Sequence, residues 1–468
     1  MPKLPEIDAD AIGSLDEAKQ VIKQILNSFA LVLKELDAIK KENTLLKEEV
    51  ARLKKQPKKP QFGSSQQSST TPTQLLKEKG KHWHKSARTT IEIDQDIQLP
   101  EIEMCLCGAT DFRTIKTTKK VVQGLVIKRN NTAYHGKKKA CTACGEIYVT
   151  EVPKDVKGLS FDSEIQSLTS FLKFACRFTH PLLHRFLTGF GVQISYGQVT
   201  EILQRNSQKL HLAYTHLRTT GLYKSTYLQS DATGAKRKQK SSQQIEQQFL
   251  HIVGNQQLSL FKITKKYNSK ITTMLLGKHG RKKIYLSDDA SPNGNKLQII
   301  RKQLCWIHEI RHYLKFTPRF KLQREQLKTV TAQWREFYHE AKAYGQQPTQ
   351  AKKDTIRNLF DKITTQVTGY EQLDTQLALT KKKRKKLLLF LTYPIVPIQN
   401  NQAERDVRDF VIMRKISGET KSLKGDRSIE RHLSIIQTAR KQGLNVYETL
   451  HGLLTETLSL SVLTANIS

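Results

Sequence analysis

The sequence predicts a multidomain α/β protein, and three observations carry that expectation. A narrow apolar stripe with a seven-residue period opens the chain. Two close cysteine pairs follow. The second half places strand-like segments that end in aspartate ahead of a long run of basic helices. At 468 residues there is room for about three domains. A hydrophobic content of 37%, with three Trp and 17 Phe, excludes a disordered protein.

Lys and Arg number 78 against 43 Asp and Glu, a formal charge of +35. So large an excess excludes an ordinary metabolic enzyme. It points to a polyanionic partner, nucleic acid before an anionic membrane surface. Six Cys are too few for a disulfide scaffold, and the two close pairs suit a metal site in a reducing compartment. The most apolar run, Leu387 to Ile398, contains Pro394 and Pro397 and is far shorter than the ~20 residues of a membrane span. The acidic, Pro-broken start is unlike a signal peptide. The expected location is the cytoplasm, in association with the bacterial nucleoid.

Residues 1–56 read as a coiled-coil dimerisation helix. The a positions are Leu15, Ile22, Phe29, Leu36, Asn43 and Val50; the d positions are Ala18, Ile25, Val32, Ile39, Leu46 and Leu53. A single polar a residue, Asn43, favours a dimer in fixed register. Packing of the same stripe on its own domain is the alternative. Residues 57–99 read as a flexible basic linker, rich in Gln, Ser, Thr and Pro and then in Lys and His.

Residues 100–155 read as a zinc-finger-like DNA-binding domain. Cys105-Leu-Cys107-Gly108 and Cys141-Thr-Ala-Cys144-Gly145 offer four thiolates for a tetrahedral Zn²⁺. The segment between them alternates like short strands. The first pair has a single intervening residue, which strains a knuckle, and His135 is a substitute ligand. A metal-free strand pair is the alternative. Cys176, within an apolar run, reads as a buried thiol. Residues 156–220 read as a helical DNA-binding segment, in which Gly189 and Gly191 end one helix and Ser195 caps the next. The shape resembles a helix-turn-helix, or equally a plain helical hairpin.

Residues 221–308 read as the first part of an α/β core. YKSTYLQSD is a strand ending in Asp231, QFLHIVGN and LSLFKITK continue a meander, and RKKIYLSDD is a strand running into Asp288 and Asp289. Helical stretches lie at NSKITTMLLGKHG and Lys296 to Arg301, and QLCWIH is strand-like. Three strands, helix, strand, helix, strand is the order of a ribonuclease-H-like fold, whose first and fourth strands lie side by side. Residues 309–393 are expected to be an all-helical insertion. Residues 394–440 hold the core helix, on which Asn400, Glu404 and Arg408 share a face. Residues 441–468 are a C-terminal helical tail. Asp231, Asp288 and Glu404 would give hard oxygen ligands for Mg²⁺ or Mn²⁺ and for phosphoryl transfer. Asp288 is preferred to Asp289 because it directly ends its strand. The Lys381 to Lys386 run reads as a phosphate contact or as a solvated helix end.

These residues also carry a resemblance. SDATG around Asp231, YLSDDA around Asp288, CWIH at Cys305 to His308, and PIQNNQAERDVR around Glu404 resemble the transposases of bacterial insertion sequence family 66, as does the tail RHLSIIQTARKQGLNVYETL. The resemblance implies Asp231, Asp288 and Glu404 as the catalytic triad. Asn400, Arg408 and His308 stand beside it as supporting residues, His308 near the phosphate or an extruded base, or packed beside the site. The family spaces its first Cys pair by two, so Cys105 and Cys107 depart from its pattern. The function expected is metal-dependent strand cleavage at element ends and transfer of the 3′-hydroxyl into target DNA. The partners expected are double-stranded DNA (terminal repeats and target) and a second copy of the chain. The competing readings are a nuclease of the same fold without strand transfer, and a non-cutting dimeric zinc-finger protein.

Overall fold

The computed structural model describes residues 13–53, 93–99, 103–104, 106, 110–111, 113, 119–153, 157–239, 244–266, 283–288 and 301–467. The fold is a mixed α/β one, a five-stranded sheet amid many helices.

Helix α1 spans Leu15–Leu53. A capping box starts it: Glu17 N donates to Ser14 Oγ (3.2 Å), and Glu17 Oε2 accepts from Gly13 N and Ser14 N. Its a and d side chains from Leu15 to Leu46, Ala18 apart, are exposed. The opposite face meets the helical insertion, where Asn27 Nδ2 donates to Gly369 O (2.9 Å) and Asp37 pairs with Arg319. The contact leaves most of the heptad stripe open, with Phe29 alone among the named a and d residues set against an insertion ring, that of Phe320 (centroids 6.2 Å).

Strands β1 (Lys138–Ala140) and β2 (Ile147–Val149) form an antiparallel hairpin across the second cysteine pair. The strand-like pattern at 119–137 yields no strand. Val122, Leu125 and Val126 are more than four-fifths exposed, so nothing there covers an apolar face. Four helices follow: α2 (Ser163–Ser170), α3 (His180–Gly189), α4 (Tyr196–Lys209) and α5 (His211–His216). Ser195 caps α4 in a full capping box with Gln198, and Gly191 takes φ +80° after α3. Cys176 is exposed, against expectation. The helix widens into a π-turn at Phe171–Ala175 and ends there, which leaves the thiol at its rim. The apolar face of α4 (Val199, Ile202, Leu203) joins the same core as the sheet.

The sheet comprises β3 (Tyr227–Lys238), β4 (Ile245–Gly254), β5 (Ser259–Thr264), β6 (Ile284–Ser287) and β7 (Arg301–Leu304), in the order β5-β4-β3-β6-β7. The β3–β4 and β4–β5 pairs are antiparallel; β3–β6 and β6–β7 are parallel. The β4–β5 turn needs Gly254, because a Cβ there would lie 2.1 Å from Leu258 O. Asn255 Oδ1 fixes the turn by accepting from Gln257 N and Leu258 N. The helices expected at 268–280 and 296–300 lie outside the described residues.

Helix α6 (Trp306–Leu314) begins directly after β7, so CWIH is a strand end and a helix start rather than a strand. It opens a second core with α7 (Lys321–Gln346), α8 (Gln350–Thr365) and α9 (Glu371–Lys382), packed around Trp306, Trp334, Phe337 and Phe360. The expected core helix is two helices, α10 (Asn401–Ser417) and α11 (Leu423–Lys441), broken where Gly418 takes φ +73°. α11 covers the free edge of the sheet: Ser259 N, Phe261 N and Ile263 N donate to Thr438, Ser434 and Glu430. Alternate strand residues thus meet every fourth helix residue, and the edge is closed to further strands. α12 (Val446–Leu454) packs on α2 and completes the first core. No helix among the described residues is long and apolar enough to cross a membrane.

Candidate active site

Strand register brings the two aspartates together. The parallel pairs Tyr227–Ile284, Leu228–Tyr285 and Gln229–Leu286 keep one offset. Carried forward, that offset sets Asp231 level with Asp288, just past the end of β6. Against expectation Asp231 does not end its strand, because β3 runs on to Lys238 through its pairing with β4. Helix α10 delivers the third carboxylate. Asn400, at its N-terminus, is buried and donates through Nδ2 to Ser230 O (2.7 Å) and through its backbone N to Cys305 Sγ (3.2 Å). Cys305 N in turn donates to Ser287 O (3.1 Å), and Trp306 N to Ile398 O (2.9 Å). Residues 230, 287, 305 and 400 are therefore tied to one another around the site. Glu404 stands one turn into α10.

Electrostatics reports the same convergence. Burial raises the Asp231 carboxyl from 3.8 to about 6. A hydrogen bond from Ala232 N (2.8 Å) opposes the rise, and the negative charges of Glu404 and Asp288 add to it. Two buried acceptors at the site, Glu404 Oε1 and Asn400 Oδ1, accept no hydrogen bond. Unfilled oxygens beside clustered carboxylates suit a hard cation. As placed, no group of three or more His, Cys, Asp or Glu side chains among the described residues is close enough to hold a metal ion.

The model of the Transposase IS66 family matches residues 158–428, more than half of the chain. The chain belongs to this transposase family. It is also 33% identical over 168 residues to the uncharacterized protein y4jO of Sinorhizobium fredii (strain NBRC 101917 / NGR234). That match covers 36% of this chain and 51% of the relative, so the chain spans about half the length of the curated relative it matches.

Around this site the supporting residues divide. His308 lies in the first turn of α6, with Nε2 3.8 Å from Glu404 Oε1. Burial lowers its pKa, Glu404 raises it and Arg311 lowers it further. Arg408 is exposed and makes no ion pair among the described residues. The cation beside the site is Arg311 instead, 3.9 Å from Glu404 Oε1 and 3.3 Å from His308 Nε2. Sequence reasoning missed it, although it follows His308 at helical spacing. Cys305 is sealed, its thiol pushed up to about 11 by burial, and it acts as an acceptor that fixes Asn400. Asp289 lies outside the described residues.

Cys141 and Cys144 flank a tight turn: Cys141 N donates to Glu146 O, and Gly145, at φ +75°, donates to Cys141 O. Backbone N–H groups of Cys144 and Ala143 lower the Cys141 pKa. Cys105 and Cys107 lie outside the described residues, and His135 is exposed. Of the basic run, Lys383 is held by buried Glu309 (3.0 Å) and Arg384 by Asp361 in a two-pronged pair (both 2.9 Å). The phosphate-contact reading therefore falls to the other lysines of the run.

Proposed function

We propose that the protein is a DNA transposase that cuts a phosphodiester at the ends of its element and joins the freed 3′-hydroxyl to target DNA. The observation that supports the reading is the Asp231 carboxyl, raised to about 6 chiefly by burial with the charges of Glu404 and Asp288 adding to the rise, on a strand whose register sets it level with Asp288. The strand order, with three antiparallel strands followed by two parallel ones, supports a ribonuclease-H-like core.

Family membership implies a divalent metal, and the oxygen donors fit one. Asp231, Asp288 and Glu404 would hold Mg²⁺ or Mn²⁺. When bound, such ions supply Lewis-acid charge to the phosphoryl oxygens of an in-line displacement. The chain's own side chains do the rest. Asn400 fixes the start of α10 and hence the Glu404 position. Arg311 orients the Glu404 carboxylate and sets a permanent cation where a phosphate would lie. His308, kept neutral by its burial, has an unpartnered Nδ1 that can donate to or accept from the DNA.

DNA binding rests on the basic surface, so it is strongly salt-dependent. The Cys141–Cys144 turn has the form of half a zinc knuckle, which Cys105 and Cys107 would complete. The open stripe of α1 supports a parallel homodimer, which brings two active sites to two element ends.

A cleavage and strand-transfer assay on terminal-repeat DNA tests the reading. Alanine at Asp231, Asp288 or Glu404 abolishes cleavage and leaves binding largely intact. Cleavage without joined product would instead select the nuclease reading, and binding without cleavage by the wild type the non-cutting module.

A further inference from the structure

A cavity of about 630 Å³ lies at the end of β3 remote from the carboxylates, bounded by α3, α4, the last turns of α10 and the loop Gly418–Ser422. Small-ligand sites commonly have this size. Its buried lining is largely apolar, with Phe174, Ala235, Ile263, Phe410 and Met413 beside the polar Lys173 and Gln248. Its more open lining is cationic, with Lys236, Arg414 and Lys421 set against one carboxylate, Glu419.

Two polar groups there are incompletely matched. Lys173 is 7% exposed, and Nζ donates to Phe178 O (2.9 Å) and Ser417 Oγ (3.3 Å), both neutral. Burial lowers its pKa to about 8, so at neutral pH it is chiefly an ammonium with no carboxylate against it. Such a cation is costly until an anion meets it. Gln248, 2% exposed, donates from Nε2 to Asp426 (3.4 Å), and its buried Oε1 has no partner. His180, pushed down to about 4 by burial with Lys173 and Lys421 nearby, adds a neutral imidazole.

A flat apolar body, an N–H donor and an anionic group together describe a nucleotide. The base would fill the apolar part, an N–H on its edge would meet Gln248, and its phosphate would lie against Lys173 and the basic rim. Position says which nucleotide. Ala235 shares a β3 face with Asp231, four residues and about 13 Å away. That is the rise of about four stacked nucleotides.

We propose that this cavity receives one unpaired nucleotide of the DNA strand, extruded from the stack about four positions from the phosphate bound at Asp231. The inference rests on the transposase reading and adds to it a specific step, extrusion of a base during end binding.

The test uses the full-length protein in EDTA, so that neither metal nor cleavage is needed. Duplexes with a single-stranded tail carry 5-iodouracil at one tail position each and are irradiated in complex. Crosslinking should peak at one or two adjacent positions and map to peptides containing Phe174, Tyr196 or Phe410. Ala235→Trp, which fills the cavity, should lower the yield about tenfold. Thr200→Phe, on the half-buried surface of α4, should do the same if the strand variant fails to fold. Yields spread evenly along the tail, peptides from elsewhere, or folded variants that crosslink like wild type would overturn the proposal. Free dAMP or dTMP at millimolar concentration should leave the crosslink in place. Full displacement by micromolar ATP would assign the cavity to a soluble nucleotide and overturn the DNA assignment. Absence of a position-specific crosslink in the wild type, when a parallel assay in Mg²⁺ shows cleavage, defeats this inference alone; a position-specific crosslink in a wild type that does not cleave in Mg²⁺ defeats the transposase reading instead.

Discussion

Replacing Asp231 by Asn should stabilise the metal-free protein at neutral pH while abolishing strand cleavage. Burial holds the Asp231 pKa near 6 against an ordinary 3.8. For an acid, a raised folded-state pKa is a penalty on the ionised form. The unfolded chain loses this proton near 3.9, the folded one near 6. Between those values the native state binds more protons, so stability falls as pH rises, and the penalty is complete above about 6. A shift of about two pK units at 1.36 kcal/mol each amounts to ~3 kcal/mol. Partial solvent access at this half-buried group reduces the working figure to about 2 kcal/mol. Asn keeps an oxygen for Ala232 N–H and carries no charge, so it avoids the penalty.

Thermal melts of wild type and variant at pH 4 and pH 7.5, in EDTA and in Mg²⁺, read the effect. In EDTA at pH 7.5 the variant should melt higher by roughly 4–8 °C, and at pH 4 the gap should close. Mg²⁺ should raise the wild type more than the variant, since it neutralises the carboxylates. A gap of equal size at both pH values, or equal stabilisation of both proteins by Mg²⁺, would refute the reasoning.

Arg311→Ala should depress cleavage well beyond its effect on DNA affinity, whereas Arg408→Ala should touch only affinity; single-turnover cleavage beside a binding isotherm separates the two. Purified, freshly reduced protein should contain one zinc per chain, and Cys141→Ser should lose it; retention after Cys105→Ser with loss after His135→Ala would move the fourth ligand to His135. An isolated 1–56 peptide should be dimeric at high micromolar concentration by sedimentation, and Asn43→Leu should raise its melting temperature while loosening its oligomeric state. Glu309→Ala should cost about 3 kcal/mol in a chemical melt, because it removes the buried carboxylate that accepts from Thr380 Oγ1 and Lys383 Nζ.

The elements were legible wherever one signal dominated. A helix over the heptad stripe, the antiparallel order of β3 to β5 and the Ser195 cap follow from spacing and local chemistry and are present in the structure, although β3 runs seven residues past Asp231. The strand pattern at 119–137 misled because alternation has no consequence without an opposing apolar face. CWIH misled for the converse reason. Cys305, Trp306 and Ile307 look like a strand by composition, yet β7 ends at Leu304, Cys305 is the N-cap, and Trp306 already begins a helix and sends its indole into the second core. The break at Gly418 was visible as a glycine but not as a positive φ. At the site, Asp288 was legible because it directly follows the end of β6, and Asp231 by its place in a strand-like segment, although that strand continues beyond it. Arg311 was not, since it enters only through the packing of α6 against α10, a tertiary fact with no local signature.

That packing makes the helical insertion more than a cover over the site. Trp306 anchors the second core, with Nε1 donating to Leu387 O (2.9 Å), and it directly follows the cysteine that holds Asn400. Two residues later on the same helix stands His308, and three beyond that Arg311. Between them Glu309 points the other way, sealed in the insertion by Lys383 and Thr380. One short helix thus has its inner face fixed by the insertion and its outer face fixed on Glu404. Any shift of α7 or α9 against α6 must either break the Glu309 pair or move His308 and Arg311 relative to the third carboxylate. Because α1 docks on this same insertion through Asn27 and Asp37, a second copy paired on the open stripe would bear on the helices that position Arg311. Assembly of two element ends and alignment of the cutting site would then share one lever, helix α6.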